Sequence, residues 1–97
     1  MNSTMVAARA GITIRQLRHW CDRGYVRPVN GTGVGSGYSL EFDRAEAAVT
    51  ATMGRLVAAG IAVDLAEQIA RAGCQPVEIG PGITVQVAPL PSTEVAR

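Results

Sequence analysis

TMVAARAGITIRQLRHWCDRGYVRP, residues 4–28, is the stretch that decides the fold. Ser3 or Thr4 is a good N-cap, because a hydroxyl there accepts from a free first-turn amide. A helix is expected from that cap to about Ala10, with Met5, Val6 and Ala10 facing inward. Gly11 supplies the turn, where a positive φ costs little. Ile12 fills the angle between helices. Thr13 caps a second helix running through about Arg23, with Ile14, Leu17 and Cys21 as its buried stripe. Arg15, Gln16, Arg18, His19 and Asp22 fall outside that stripe. Gly24 ends the helix as a residue suited to left-handed backbone.

The rest of the chain extends this frame. Tyr25, Val26 and Arg27 begin an extended strand, and Pro28 stops any helix. NGTGVGSG, residues 30–37, reads as a flexible tip. Tyr38, Leu40 and Phe42 share one face of a returning strand. Asp43 with Glu46 three residues on resembles a capping box, opening a helix to about Ala59. Ala45, Val49, Met53, Leu56 and Val57 are its expected inner residues, and Gly60 ends it. A last helix over residues 63–72 turns Leu65, Ala66 and Ile69 inward and stops at Gly73. Residues 77–87 alternate with period two around Gly80-Pro81-Gly82, which predicts a β-hairpin. Pro89 and Pro91 close it.

Two helices joined by a glycine turn, the second rich in arginine, form a helix-turn-helix. Such a motif lays its second helix in the DNA major groove and braces it with the first. The two strands after it make a wing. The expected class is mainly α with a small β part: four helices, a two-stranded wing and a C-terminal β-hairpin. Residues 1–73 form the DNA-binding domain and residues 74–97 an extension.

Charge distribution supports this reading better than total charge. The net charge of the 97 residues is only +1. Residues 1–40 carry five arginines (Arg9, Arg15, Arg18, Arg23, Arg27) against Asp22, or +4, while residues 41–97 total −3. A basic front and an acidic back suit a protein that turns one side to a polyanion. All nine cations are arginine. Since lysine is missing from the acidic half too, a GC-rich coding sequence accounts for this better than function does.

Several classes are excluded. Cys21 and Cys74 sit in no metal-binding spacing and the chain has one histidine, so no metal or cofactor is expected. Two isolated cysteines fit a reducing cytoplasm. There is no run of ~20 apolar residues for a membrane span. Gly31, Gly33, Gly35 and Gly37 lack the Lys-Ser/Thr of a P-loop. No catalytic serine or carboxylate pair stands out, so the sequence does not read as an enzyme.

The order Val6-Ala7, Gly11-Ile12, Leu17-Arg18-His19-Trp20, Gly24-Tyr25-Val26-Arg27-Pro28 and Gly37-Tyr38 resembles the MerR-like winged helix-turn-helix family. The resemblance covers roughly residues 4–72, including the helix pair around Gly60. It implies DNA binding, with Arg18, His19 and Trp20 on backbone or base edges and Arg27 on phosphate from the wing. Excisionases and small phage regulators use related minimal versions. Three departures stand out. Ser39 replaces the family's wing arginine, and Glu41 replaces a tyrosine, which implies a weaker grip on phosphate. Residues 74–97 hold no heptads where such regulators continue into a long dimerisation helix.

The expected DNA-contacting residues are Thr13, Arg15, Gln16, Arg18, His19, Trp20, Arg23 and Arg27. Thr13 and Gln16 sit near the start of the second helix, where groove contacts concentrate. Trp20 either packs between helix and wing or sets its indole N–H on phosphate. Arg23 either meets phosphate or pairs with Asp22 or the helix C-terminus. The expected partner is double-stranded DNA; because two strands alone are marginal, the C-terminal hairpin is expected to pack either on a second copy, giving a homodimer, or on the protein's own helices. The rival readings are an excision or DNA-bending factor on direct repeats, and a protein-interaction module that kept the fold and lost DNA.

Overall fold

The computed structural model of the chain describes residues 1–29, 40–73 and 75–88. Its first helix, α1 (Ser3–Ala10), is capped by Asn2, whose side chain accepts from the Met5 N–H at 2.9 Å. This corrects the expected Ser3 or Thr4 cap. Asparagine is as strong a cap and comes first, so Ser3 is drawn into the helix. Val6, Ala7 and Ala10 are buried, whereas Met5 is exposed, contrary to expectation. Gly11 takes φ 72° and returns its N–H to Ala8, closing the helix end.

Thr13 caps α2 (Ile14–Asp22), its Oγ1 accepting from the Gln16 N–H at 3.0 Å. The buried face of α2 differs from the expected stripe. Leu17 and Trp20 are buried, Cys21 is half-buried, and Ile14 is 43% exposed. The large indole takes the central core position, and the inward face rotates toward it and away from Ile14. Gly24, at φ 83°, lets the chain leave the helix.

No strand forms at residues 25–27. The Tyr25 and Val26 N–H groups instead turn back to the Trp20 carbonyl, at 3.0 and 3.4 Å. Donors spent on closing the helix end cannot build a ladder. Val26 is driven into the core by this turn. Among the described residues the chain then meets the returning arm through the Val29 N–H, which donates to the Glu41 carbonyl at 2.7 Å. On its other side that arm exchanges bonds with the chain start: the Phe42 N–H donates to the Met1 carbonyl at 2.8 Å, and Asn2 bridges Glu41 in antiparallel sense. Leu40 and Phe42 point into the core and Glu41 points out, the alternation of an extended segment. Tyr38 and the glycine-rich tip lie outside the described residues.

Asp43 caps α3 (Arg44–Ala58), accepting from the Glu46 N–H at 2.7 Å. Ala47, Thr50, Met53 and Gly54 form its buried face, while the expected Ala45 is exposed. The Thr50 hydroxyl is satisfied within the helix by the Glu46 carbonyl at 2.9 Å. α4 (Val63–Arg71) buries Ala66, Ile69 and Ala70, with Leu65 only half-buried. α3 packs on both α1 and α4, so it is the spine of the molecule. The core it builds with α2 and the returning arm contains Val6, Leu17, Trp20, Val26, Phe42 and Met53.

After α4, β1 (Val77–Gly80) pairs antiparallel with β2 (Ile83–Val85). The register joins Val77 to Val85 and Glu78 to Thr84, with an irregularity before Gly80 meets Ile83. Pairing stops at Val85, two residues short of the expected Val87. Ile79 and Ile83 remain exposed on this small sheet.

Candidate nucleic-acid interface

Leu17 and Trp20 fix how α2 sits, because both are enclosed by the core. The opposite side of the helix is then determined by the 100° step between residues. It carries Arg15, Arg18, His19 and Asp22, all exposed, with Arg23 at the helix end. Arg15 and Arg18 are three apart and project from neighbouring points on one face. Arg23 is the C-cap residue, and its own N–H is satisfied by the His19 carbonyl at 3.0 Å.

The other expected residues divide. Thr13 is exposed, but its Oγ1 lone pair is occupied by the cap bond, which leaves its hydroxyl proton to donate. Gln16 is half-buried at the flank of α2. Trp20 is 2% exposed, so of its two expected roles the packing one is what the structure shows: the ring is enclosed by the core and fixes how α2 sits. Ile14, expected inside, instead stands on the surface beside Thr13 and Arg15.

Arg27 is exposed, and the backbone of residues 25–27 is held by Glu46 and Arg71, which sequence reasoning did not assign to the site. The Arg27 N–H donates to Glu46 Oε2 at 2.9 Å. The same carboxylate takes a two-pronged grip from Arg71, with Nη2 to Oε2 at 2.6 Å and Nη1 to Oε1 at 3.1 Å. Arg71 Nη2 also donates to the Tyr25 carbonyl at 2.8 Å, and its Nε to Glu67 Oε2 at 2.6 Å. One guanidinium therefore ties α4, α3 and the turn after α2 together. Its planar fork makes this possible; an ammonium cannot meet these partners in one plane. Glu46 was legible as a capping-box residue, but its side chain turns away from the cap to Arg71. Arg71 lies in the last turn of α4, and no local sequence pattern marks it as a partner of Glu46.

The electrostatics follow. Burial pushes the Glu46 carboxyl up, but hydrogen bonds from Arg71 and the Arg27 N–H, with the charge of both arginines, outweigh it and hold it below its ordinary 4.5. The bond to Glu46 raises Arg71 against the opposing effect of burial, and Glu67 adds to the rise. On the inner edge of α2, burial pushes the Cys21 thiol up to about 11, with Asp22 adding to the rise and Arg18 opposing it. Among the described residues no group of histidine, cysteine and carboxylate side chains could hold a metal ion. No helix among the described residues is long and apolar enough to cross a membrane.

The architecture is thus an arginine-bearing second helix aimed by a buried tryptophan, followed by a turn whose backbone is clamped from two other helices. Comparison with curated proteins and with solved structures finds no match. The family model described as MerR HTH family regulatory protein matches residues 1–73. The chain belongs to the MerR helix-turn-helix family.

Proposed function

We propose that this protein is a sequence-specific double-stranded DNA-binding regulator. The observation that carries the reading is the outward side of α2. It presents Arg15, Arg18 and His19 together, on a helix whose inner side is fixed by Leu17 and Trp20. α2 enters the major groove. Arg15 and Arg18 face base edges or phosphates, with Thr13, Gln16 and His19 beside them. Arg23 and Arg27 neutralise backbone phosphates at the exit of the helix. Phosphate contacts set position, and the base-edge contacts set sequence.

The segment from residue 25 to 42 acts as a wing beside the groove. The bond from the Val29 N–H to the Glu41 carbonyl supports this, since it brings the two ends of the segment together. Residues 1–73 are the DNA-binding unit and residues 74–97 an extension. One such module buries only about 600–1,000 Å² on DNA. Tight binding therefore calls for two copies, and the exposed Ile79 and Ile83 on the small sheet are the surface proposed for a homodimer.

Selection from a randomised duplex library tests the reading. An enriched inverted repeat is the expected result, with half-sites about one helical turn, ~34 Å, apart. Head-to-tail repeats would instead assign the protein to excision or DNA bending. No enrichment even at low salt would remove DNA as the ligand and leave a protein partner bound through the same fold.

A further inference from the structure

We infer that Arg71 and Glu46 are positioning residues for the phosphate contact of Arg27, so that α4 sets how the segment after α2 meets DNA. This rests on the DNA-binding reading above. The backbone accounting of the turn carries it. The Tyr25 and Val26 N–H groups are tied to Trp20, at the end of α2. The Tyr25 carbonyl is tied to Arg71, and the Arg27 N–H to Glu46. Four polar groups of three successive residues are thus anchored, two to α2 and two to the ion pair between α3 and α4.

The anchors on the α3–α4 side depend on each other. Glu46 Oε2 accepts from both the Arg27 N–H and Arg71 Nη2, and Arg71 Nη2 also reaches the Tyr25 carbonyl. Removing the fork releases the Tyr25 carbonyl and leaves the Glu46 carboxylate without its cation. Both side chains of the pair are mostly buried, 27% and 13% exposed, so water screens the interaction less than it would a surface pair. The Arg27 side chain is exposed and acts on Glu46 only through its charge, whereas its backbone N–H is hydrogen-bonded to that carboxylate. The influence therefore passes through the Arg27 backbone: where its N–H is fixed, the stem of its guanidinium points one way. Arg71 is the last residue of α4, directly before the segment that leads to β1. Any displacement of α4 along its axis pulls on the turn through this one side chain.

The test compares wild type, Arg27→Ala, Arg71→Lys and the double variant for binding to the selected duplex across a salt series. Losing one phosphate contact lowers the slope of log K against log salt by about 0.9. The expected result is a drop of that size for Arg27→Ala, a drop in the same direction for Arg71→Lys, and no further drop in the double variant. Lysine keeps the charge, so loss of general attraction cannot produce this pattern. Thermal melts establish that each variant is folded at the assay temperature. Where Arg71→Lys is not, Glu46→Gln carries the same comparison. Hydrogen exchange of the DNA-free protein adds a readout confined to the turn: the Arg27 amide should exchange faster in Arg71→Lys while the amides of α2 keep their protection. An unchanged salt slope and an unchanged Arg27 amide overturn the inference, as do fully additive losses in the double variant. Failure of the wild-type protein to bind any duplex overturns the DNA reading and this inference with it.

Discussion

Gly54 of α3 and Ala10 of α1 meet backbone to backbone. A Cβ built on Gly54 would fall on the Ala10 carbonyl oxygen and lie 2.9 Å from its carbonyl carbon. The glycine sits in the middle of a 15-residue helix. There it gives up about 1 kcal/mol of helix propensity relative to alanine. What it permits is the close crossing of α1 over the spine of the molecule. Gly54→Ala therefore sets two effects against each other. Propensity favours alanine, but the obstacle is backbone and cannot rotate away, and overpacking costs about 1–3 kcal/mol. The clash should win, and the midpoint of denaturant unfolding should fall. A raised midpoint would mean that α1 does not pack this closely.

Glu46 makes part of the stability depend on pH. Its carboxyl is held below the ordinary 4.5, so the folded state binds the proton less readily than the unfolded chain. The stabilisation is fully present above about 4.5 and is lost as pH falls through the lower, folded value. Glu46→Gln removes this dependence along with the ion pair. The variant should be less stable than wild type at pH 7, and the gap should narrow at pH 3. Urea midpoints at the two pH values measure it. A gap that stays constant would show that the carboxylate charge does not hold Arg71.

These two contacts mark where the sequence stops being legible. Short-range signals were readable: the Thr13 and Asp43 caps, and the glycines at 11, 24, 60 and 73, act through bonds within a few residues. Adjacent good caps were not, since Asn2, Ser3 and Thr4 all qualify and only the structure selects one. The stripe of α2 was misjudged because periodicity gives Ile14 and Trp20 comparable claims to the core, and only the shape of the cavity decides between them. Gly54 looks like any tolerated helix glycine until a second helix lies against it. The grip of Arg71 on Glu46 joins residues 25 apart, and no local pattern announces it. Of the expected interface residues, Arg15, Arg18, His19, Arg23 and Arg27 are exposed, while Trp20 takes the packing alternative that its size favours.

Cys21 should be a slow thiol. The thiolate is the reactive form, and burial raises its pKa to about 11 from 9.0. In a Cys74→Ser background, labelling by a thiol reagent at pH 7 should be much slower in the native protein than in denaturant. The native rate should keep rising with pH toward 11. Cys21→Ser places a hydroxyl on the inner edge of α2 and should lower the melting temperature before it touches DNA binding. Fast labelling of the folded protein would place the thiol outside the core.

Arg15→Ala and Arg18→Ala separate recognition from folding. Both side chains are on the exposed side of α2, where substitutions usually change stability by no more than about 0.5 kcal/mol. A bidentate arginine–guanine contact contributes about 1–3 kcal/mol of discrimination, or about 5- to 140-fold in affinity. A base-reading arginine should thus lose affinity for the selected duplex and relax sequence preference at one position, with the melting temperature nearly unchanged. A phosphate-contacting arginine should weaken all duplexes alike and lower the salt slope by about 0.9. The pair of measurements, specificity at one position and salt slope, assigns each arginine to one role or the other. If both variants bind as wild type does, α2 is not the surface that meets DNA.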